Sequence, residues 1–463
     1  MESGVRKQVI PLQITPLDNW IAVKTGAMDA RSLHAYQLEK LRETIDYAKK
    51  NSRFYSSHLV GIEPEHIISF NDIAAVPFTT AEMISNAPLD FLCVPPGGIN
   101  RIVTFPTSGT TGEPKRVFFT KEDQELTIDF FHHGMSTFAD VNDKVMIFLP
   151  CESEGGVGDL LGRGLERIGC RSEKYGPIKD YSDAMKAMSS RECTCVVGLP
   201  AQMFALSRIS KGIRLKSALL CSDYVSEAAV SAFESAWGCA VFGHYGMIES
   251  GLGGGVECSA RAGYHMREAD LLFEVIDPAS GAQVKDGGEG ELVFTTLTRC
   301  GMPIIRYKTD DISRVIIEPC PCGSGLRRFE RVSGRLCDII EMGDFKLSLP
   351  MLDEILFSVP GLIGFSAEVM SGAAKDGLVL NIFTLDSTKV MCEVRERIMG
   401  DGNIGMAAKC GVFEIGLLQG GAEVLSYGNT KRRIIDKRIR TSDSKINRGR
   451  RSGGSLKNNG KAG

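Results

Sequence analysis

The sequence predicts an α/β protein, with a large N-terminal domain of mixed sheets and helices followed by a small α+β domain. Three observations predict it. The chain has 463 residues, 43% of them apolar and 24% charged, which is enough material for several packed layers. Between positions 145 and 242 short apolar runs alternate with helical patterns, the rhythm of βαβ units. Past position 257 strand-like runs follow one another without helices between them, as in an antiparallel sheet.

Taken in order, positions 33–48 place Leu33, Leu38, Leu41, Ile45 and Ala48 at mostly helical spacing, with Glu39, Lys40, Arg42 and Glu43 between them, and so predict an amphipathic helix. Strands are expected at 145–149, 193–197, 218–221 and 240–242, and helices at 159–168, 202–209 and 227–237, giving a mainly parallel sheet. Runs at 271–276, 290–295 and 313–317, separated by Gly, Pro and Asp turns, predict antiparallel strands that close the large domain. The boundary falls near 334–338, so the large domain is read as 1–334 and the small one as 335–438. From Lys437 onward nine Lys/Arg face one acid among Gly, Ser and Asn, so 439–463 is expected to be a disordered basic tail.

A formal charge of −3 carries no global case for nucleic acid or an anionic membrane. No apolar run approaches the roughly 18 residues of a membrane span, and the start, Met1-Glu2-Ser3-Gly4-Val5-Arg6-Lys7, lacks the apolar core of a signal peptide. Fourteen scattered cysteines suit reduced thiols in the cytoplasm better than a disulfide framework.

The densest chemical signal is Thr107-Ser108-Gly109-Thr110-Thr111-Gly112-Glu113-Pro114-Lys115. Packed hydroxyls and glycines suit a loop whose N–H groups cradle phosphate oxygens, although its composition alone equally suits a flexible turn. It is not a Walker loop, because Lys115 follows Gly112 by three residues rather than one. Further along stand Tyr245-Gly246-Met247-Ile248-Glu249, then Arg306-Tyr307-Lys308-Thr309-Asp310-Asp311, then Gly334-Arg335 with Asp338.

These four segments, in this order, resemble the motifs of the adenylate-forming superfamily of acyl-CoA synthetases, luciferases and peptide-synthetase adenylation domains. Within it the chain is most similar to the phenylacetate–CoA ligase family. That resemblance runs from the helix ending in Ser52-Arg53-Phe54-Tyr55, through Pro77-Phe78-Thr79-Thr80, to Gly290-Glu291-Leu292-Val293-Phe294 and Ile434-Ile435-Asp436. It implies an ATP-dependent acid–CoA ligase acting on an aryl or arylacetic acid such as phenylacetate. A carboxylate attacks ATP to give an acyl-adenylate and pyrophosphate; the small, mobile domain then rotates, and coenzyme A displaces AMP. It also implies a homodimer. Two other readings stay open: an adenylyltransferase acting on a deazaflavin-type acceptor, and a nucleotide-binding protein without turnover.

The resemblance assigns roles residue by residue. Ser108, Gly109, Thr110, Thr111, Gly112 and Lys115 would hold the β- and γ-phosphates, and Glu249 a Mg²⁺ ion. Asp311 would take the ribose hydroxyls with Arg335 beside it. Tyr245, with Gly246 next to it, would face the adenine from one side, and the segment Ser222-Asp223-Tyr224 from the other. The family usually has a small residue and glutamate where this chain has Ser222-Asp223. Lys431 is the late catalytic lysine and joins Glu249 and Thr110 in the catalytic set; Arg432 and Arg433 beside it are poor replicas of a point-charge ammonium. The hinge carries one acid, Asp338, where the family tends to have two, with Cys337 preceding it.

Cys258, His265, Cys320 and Cys322 form a set of thiols and imidazole suited to a structural Zn²⁺, with Pro319, Pro321 and Gly323 shaping the turn. The alternative is three buried thiols and a surface histidine. The loop Cys151–Gly158 is placed at the acyl site, with glycines that permit a flat ring and with Glu152 and Glu154 pointing to solvent. His132, His133 and His244 are read as structural, His244 at most lining the pocket.

Overall fold

The computed structural model describes residues 15–27, 29–105, 114–372, 374–421, 425 and 432–438. The central feature is one twelve-stranded sheet. Its parallel half runs in the order Arg171–Lys174, Lys144–Ile147, Cys195–Gly198, Ser217–Cys221, Ala240–Tyr245. Cys195–Gly198 and Ser217–Cys221 are buried along their whole length, as expected of strands covered on both faces. Alternate residues divide between two apolar layers. Val196, Ala218 and Leu220 pack with Phe204 and Phe233 on one face. Val145, Ile147, Val197 and Leu219 pack with Ile128, Phe131 and Leu160 on the other.

At Ala240–Tyr245 the direction reverses. Gly255–Glu257 pairs antiparallel to it, and the sheet continues through Tyr264–Met266, Arg328–Phe329, Tyr307–Ile316, Glu289–Thr296 and Leu271–Ile276. The antiparallel strands are therefore a continuation of the parallel ones and not a separate closing sheet. The strand expected at 313–317 starts six residues earlier, because Tyr307, Thr309 and Asp311 alternate inward along a polar-looking stretch. The edge strand Arg171–Lys174 went unread because edge strands carry polar side chains. The expected 33–48 helix spans Ala30–Asn51, begun by a reciprocal Asp29/Ser32 capping box.

After Gly334 a four-stranded sheet forms, ordered Glu414–Gln419, Gly377–Thr384, Leu362–Met370, Ile435–Asp436, with the helices Leu349–Leu356 and Ser387–Gly400. This C-terminal unit docks on the helices Pro200–Ile209 and Glu227–Trp237. The rings of Phe204 and Phe357 lie 4.2 Å apart, and Arg208 donates to the Phe357 carbonyl at 3.2 Å. Among the described residues no helix is long and apolar enough to cross a membrane. The basic stretch 439–463 lies outside the described residues.

Candidate functional site

A cleft of about 850 Å³, counting the solvent at its mouth, lies between the carboxyl ends of the parallel strands and the C-terminal unit. Ligands of α/β sheets bind at this end of the strands. Ser222, Asp223 and Tyr224, which follow Ser217–Cys221, line it, as do Tyr245, Gly246, Asp311 and Arg335. Seven residues predicted for the nucleotide therefore meet in one place. Ser222 has φ +70°, a left-handed backbone that is costly for a side-chain-bearing residue. Gly246 must be glycine, since a Cβ there would stand 2.3 Å from the Leu252 carbonyl oxygen.

Asp311 is the organising carboxylate. Tyr245 donates its hydroxyl to Oδ2 at 2.9 Å, and Arg335 donates Nε to Oδ1 at 2.7 Å. The antiparallel pairing of Asp311 with Arg335 fixes the second contact. An ionised carboxylate has about four lone-pair sites, so each oxygen keeps one acceptor position free for another donor. Burial and the Asp311 carboxylate push the Tyr245 hydroxyl well above its usual pKa, so it stays a donor. The Tyr245 ring meets Phe329 edge-on at 5.0 Å.

Lys115 and Glu249 form a second group. Glu249 is only 3% exposed. It is ion-paired with the Lys115 ammonium and accepts the Tyr307 hydroxyl at 2.9 Å. Burial raises the Glu249 carboxyl, but Lys115 and the hydrogen bonds outweigh it, so the net displacement is downward and the group is ionised. Arg299 clamps the surrounding backbone by donating to the Glu249 and Phe118 carbonyls, both at 2.8 Å. Tyr307 and Arg299 were not foreseen. Tyr307 was detectable, because it shares the inward face of its strand with Asp311, whereas nothing in the sequence marked Arg299. Ser108, Gly109, Thr110, Thr111, Gly112 and Lys431 lie outside the described residues. Arg432, next to Lys431, lines the cleft and is engaged in a buried pair with Asp353 at 2.8 and 3.1 Å.

Cys258, His265, Cys320 and Cys322 converge: one ligand atom from each lies within 4.8 Å of all the others. His265 pairs in register with Arg328, just past the turn that carries Cys320 and Cys322. The Cys258 and Cys320 sulfurs are 3.6 Å apart, and Cys322 Sγ is 3.5 Å from His265 Nε2. Tetrahedral zinc holds sulfur at about 2.3 Å and nitrogen at about 2.0 Å, which separates S from S by about 3.8 Å and S from N by about 3.5 Å. Donor set and spacing both fit that ion.

The Cys151 loop packs partly against the protein's own atoms. Glu152 and Glu154 are exposed as expected. The room its glycines leave, however, is filled by the protein itself: a Cβ on Gly155 would meet Gln124 Nε2 at 2.0 Å, and one on Gly158 would meet Cys151 Sγ at 2.3 Å. His133 stacks on Trp20 and faces Asp129, which accepts the Trp20 indole N–H at 2.8 Å, a structural arrangement. His244 is buried beside the cleft, and burial pulls its pKa down to about 4.

Comparison with known proteins accords with this geometry. Residues 87–298 match the family model described as AMP-binding enzyme. The chain is 28% identical over 347 residues to the phenylacetate-coenzyme A ligase of Aromatoleum evansii, covering 71% of this chain and 76% of that one. It is 27% identical over 379 residues to the Thermus thermophilus enzyme of the same name, covering 79% and 82%. A solved structure of 2-hydroxyisobutyryl-CoA ligase, in the postadenylation state with R3-HIB-AMP, superposes with a TM-score of 0.75 at 19% identity, covering 91% of this chain and 92% of that one. The same ligase in the thioesterification state, with 2-HIB-AMP and CoA, gives 0.62 at 19% identity, covering 91% and 94%.

Proposed function

The chain belongs to the phenylacetate–CoA ligase family of the adenylate-forming superfamily and is an AMP-forming acyl-CoA ligase, and on that premise we propose that it activates an aryl or arylacetic acid such as phenylacetate. A carboxylate oxygen of the acid attacks the α-phosphorus of ATP, the bond to the bridging oxygen breaks, and pyrophosphate leaves. The coenzyme A thiolate then attacks the acyl carbon, and AMP leaves with the carboxyl-derived oxygen. The observation that carries the reading is Asp311, bridging Tyr245 and Arg335 at the cleft and keeping acceptor positions suited to two ribose hydroxyls.

Two anions must approach one another, so fixed positive charge and donors are needed at the phosphates. The Ser108–Gly112 loop, Thr110 within it, and Lys115 would supply them, and Lys431 would bridge carboxylate and α-phosphate. In the free enzyme Lys115 and Glu249 neutralise each other; with ATP present the ammonium turns to phosphate and the carboxylate becomes free to hold Mg²⁺, a hard cation that prefers oxygen. Bound there, Mg²⁺ would neutralise phosphate charge. Tyr245, Gly246, Ser222 and Asp223 would bound the adenine. The domain reading follows the same logic: residues 1–334 bind ATP and acid, 335–438 turn on Asp338, and 439–463 form a tail outside the chemistry.

Zn²⁺ at Cys258, His265, Cys320 and Cys322 would be structural, since four protein ligands leave no open position. Fourteen cysteines, none in a disulfide among the described residues, suit the cytoplasm, and the family resemblance carries the homodimer.

The test is pyrophosphate release from ATP across a panel of aromatic and aliphatic acids, with and without coenzyme A. Acid-dependent release, faster with coenzyme A and reduced by about 10²–10³-fold in Lys431→Ala, is expected. Release indifferent to coenzyme A would favour a different acceptor. ATP binding without release from any acid would overturn the ligase reading.

A further inference from the structure

The apolar seam between the two units is not directional, so it can hold them together without fixing the angle at which they meet. A directional contact lies beside it. Glu354, on the helix Leu349–Leu356, reaches across to the large unit. Its Oε1 accepts the Tyr224 hydroxyl at 2.7 Å and the Glu227 amide at 3.0 Å, and its Oε2 accepts the Ala228 amide at 3.2 Å.

Those two amides are the first of the helix Glu227–Trp237, whose own cap, Ser226, serves only Ala229 at 3.1 Å. The first N–H groups of a helix have no partner inside it and favour negative charge. This helix therefore completes its N-terminus with a carboxylate borrowed from the other unit. Tyr224 is at the same time a wall residue of the nucleotide cleft. One carboxylate thus ties the cleft wall, the end of a large-unit helix and the C-terminal unit together. Its neighbour Asp353 pairs with Arg432 of its own unit, and both line the cleft. Arg208, by contrast, donates to the Phe357 and Val359 carbonyls, just past the far end of the same helix.

We propose that Glu354 is a positioning residue for acyl-adenylate formation: it fixes the C-terminal unit against the cleft for the first half-reaction and contributes nothing to the second. The assignment rests on the two-step reading above. A swing of the C-terminal unit toward thioester formation has to break all three bonds, whereas acyl transfer to coenzyme A does not need them.

The experiment measures both half-reactions separately in Glu354→Ala, Glu354→Gln and Tyr224→Phe, together with amide hydrogen exchange across the helix Glu227–Trp237 in the substrate-free protein. Glu354→Ala is expected to slow acid-dependent ATP–pyrophosphate exchange by about tenfold or more, while thioester formation from preformed acyl-adenylate stays within about twofold. The Glu227 and Ala228 amides should exchange faster, with the helix interior unchanged. Tyr224→Phe, which removes one of the three bonds, and Glu354→Gln, which retains an acceptor, should fall between. Equal loss in both half-reactions would mean a merely structural residue and overturn the proposal, as would unchanged amide protection in Glu354→Ala. Failure of the ligase reading looks different: the wild-type protein itself would make no acyl-adenylate, and the assignment would fall with it.

Discussion

Glu249→Gln is expected to lower acid-dependent pyrophosphate exchange by about 10²–10³-fold, the scale of losing one preorganised electrostatic group from an active site. The substitution keeps the shape and nearly the volume of the side chain. It strips the charge that balances Lys115 in a site where Glu249 is 3% exposed. The ammonium would then lose the Glu249 carboxylate as an ion-pair partner, and the hard ligand proposed for Mg²⁺ would be gone. If the metal role is right, part of the activity should return as Mg²⁺ is raised, because a weaker site still fills at higher concentration. Activity within about threefold of wild type, at any Mg²⁺ concentration, would remove Glu249 from the chemistry. The same variant has a signature in acid. The carboxyl is depressed in the folded protein, so its stabilising contribution is present above its unfolded value near 4.5 and is lost as pH falls below it. The variant should therefore lose less stability than wild type on acidification through that window.

The second large effect concerns the thiol–imidazole cluster. One zinc per chain is expected by elemental analysis of protein purified without chelator. Cys320→Ser, or prolonged chelation, should lower the melting temperature by roughly 10 °C, since metal affinity in a structural site is folding free energy. The loss should extend beyond the cluster. His265 is in register with Arg328, and the next residue, Phe329, supports the Tyr245 ring, so an unclamped strand pair also loosens one wall of the nucleotide cleft. A raised KM for ATP in Cys320→Ser at temperatures where the protein is still folded would report that link. Purified protein free of zinc, with a melting curve that chelators leave unmoved, would reduce the cluster to buried thiols.

How much of this was legible depended on which physical signal each residue left. The parallel strands and the helix Glu227–Trp237 were readable because each buries a face, and burial imposes apolar runs or a helical period. The strand Arg171–Lys174 was invisible because it lies at the sheet's edge, where polar side chains are the rule. Asp311 and Glu249 were found through motif resemblance, which encodes chemistry. Their partners divide differently. Arg335 belonged to a motif and was named, whereas Arg299 donates its hydrogen bonds to backbone carbonyls, a role any chain-distant arginine can fill and no spacing announces. Glu354 left no trace for the same reason: its partners come from 126 to 130 positions away, and only the folded chain brings them together.

The packing of Phe204 on Phe357 bears on how temperature acts on the enzyme. Any motion that parts these rings hydrates apolar surface, and hydrating apolar surface raises heat capacity. A catalytic cycle that opens this seam therefore contains a step whose activation enthalpy changes with temperature, and its rate follows a curved rather than a straight Eyring plot. Chemistry alone carries little such curvature. The shape of the turnover-against-temperature curve thus reports whether bond making or the parting of two greasy surfaces sets the pace.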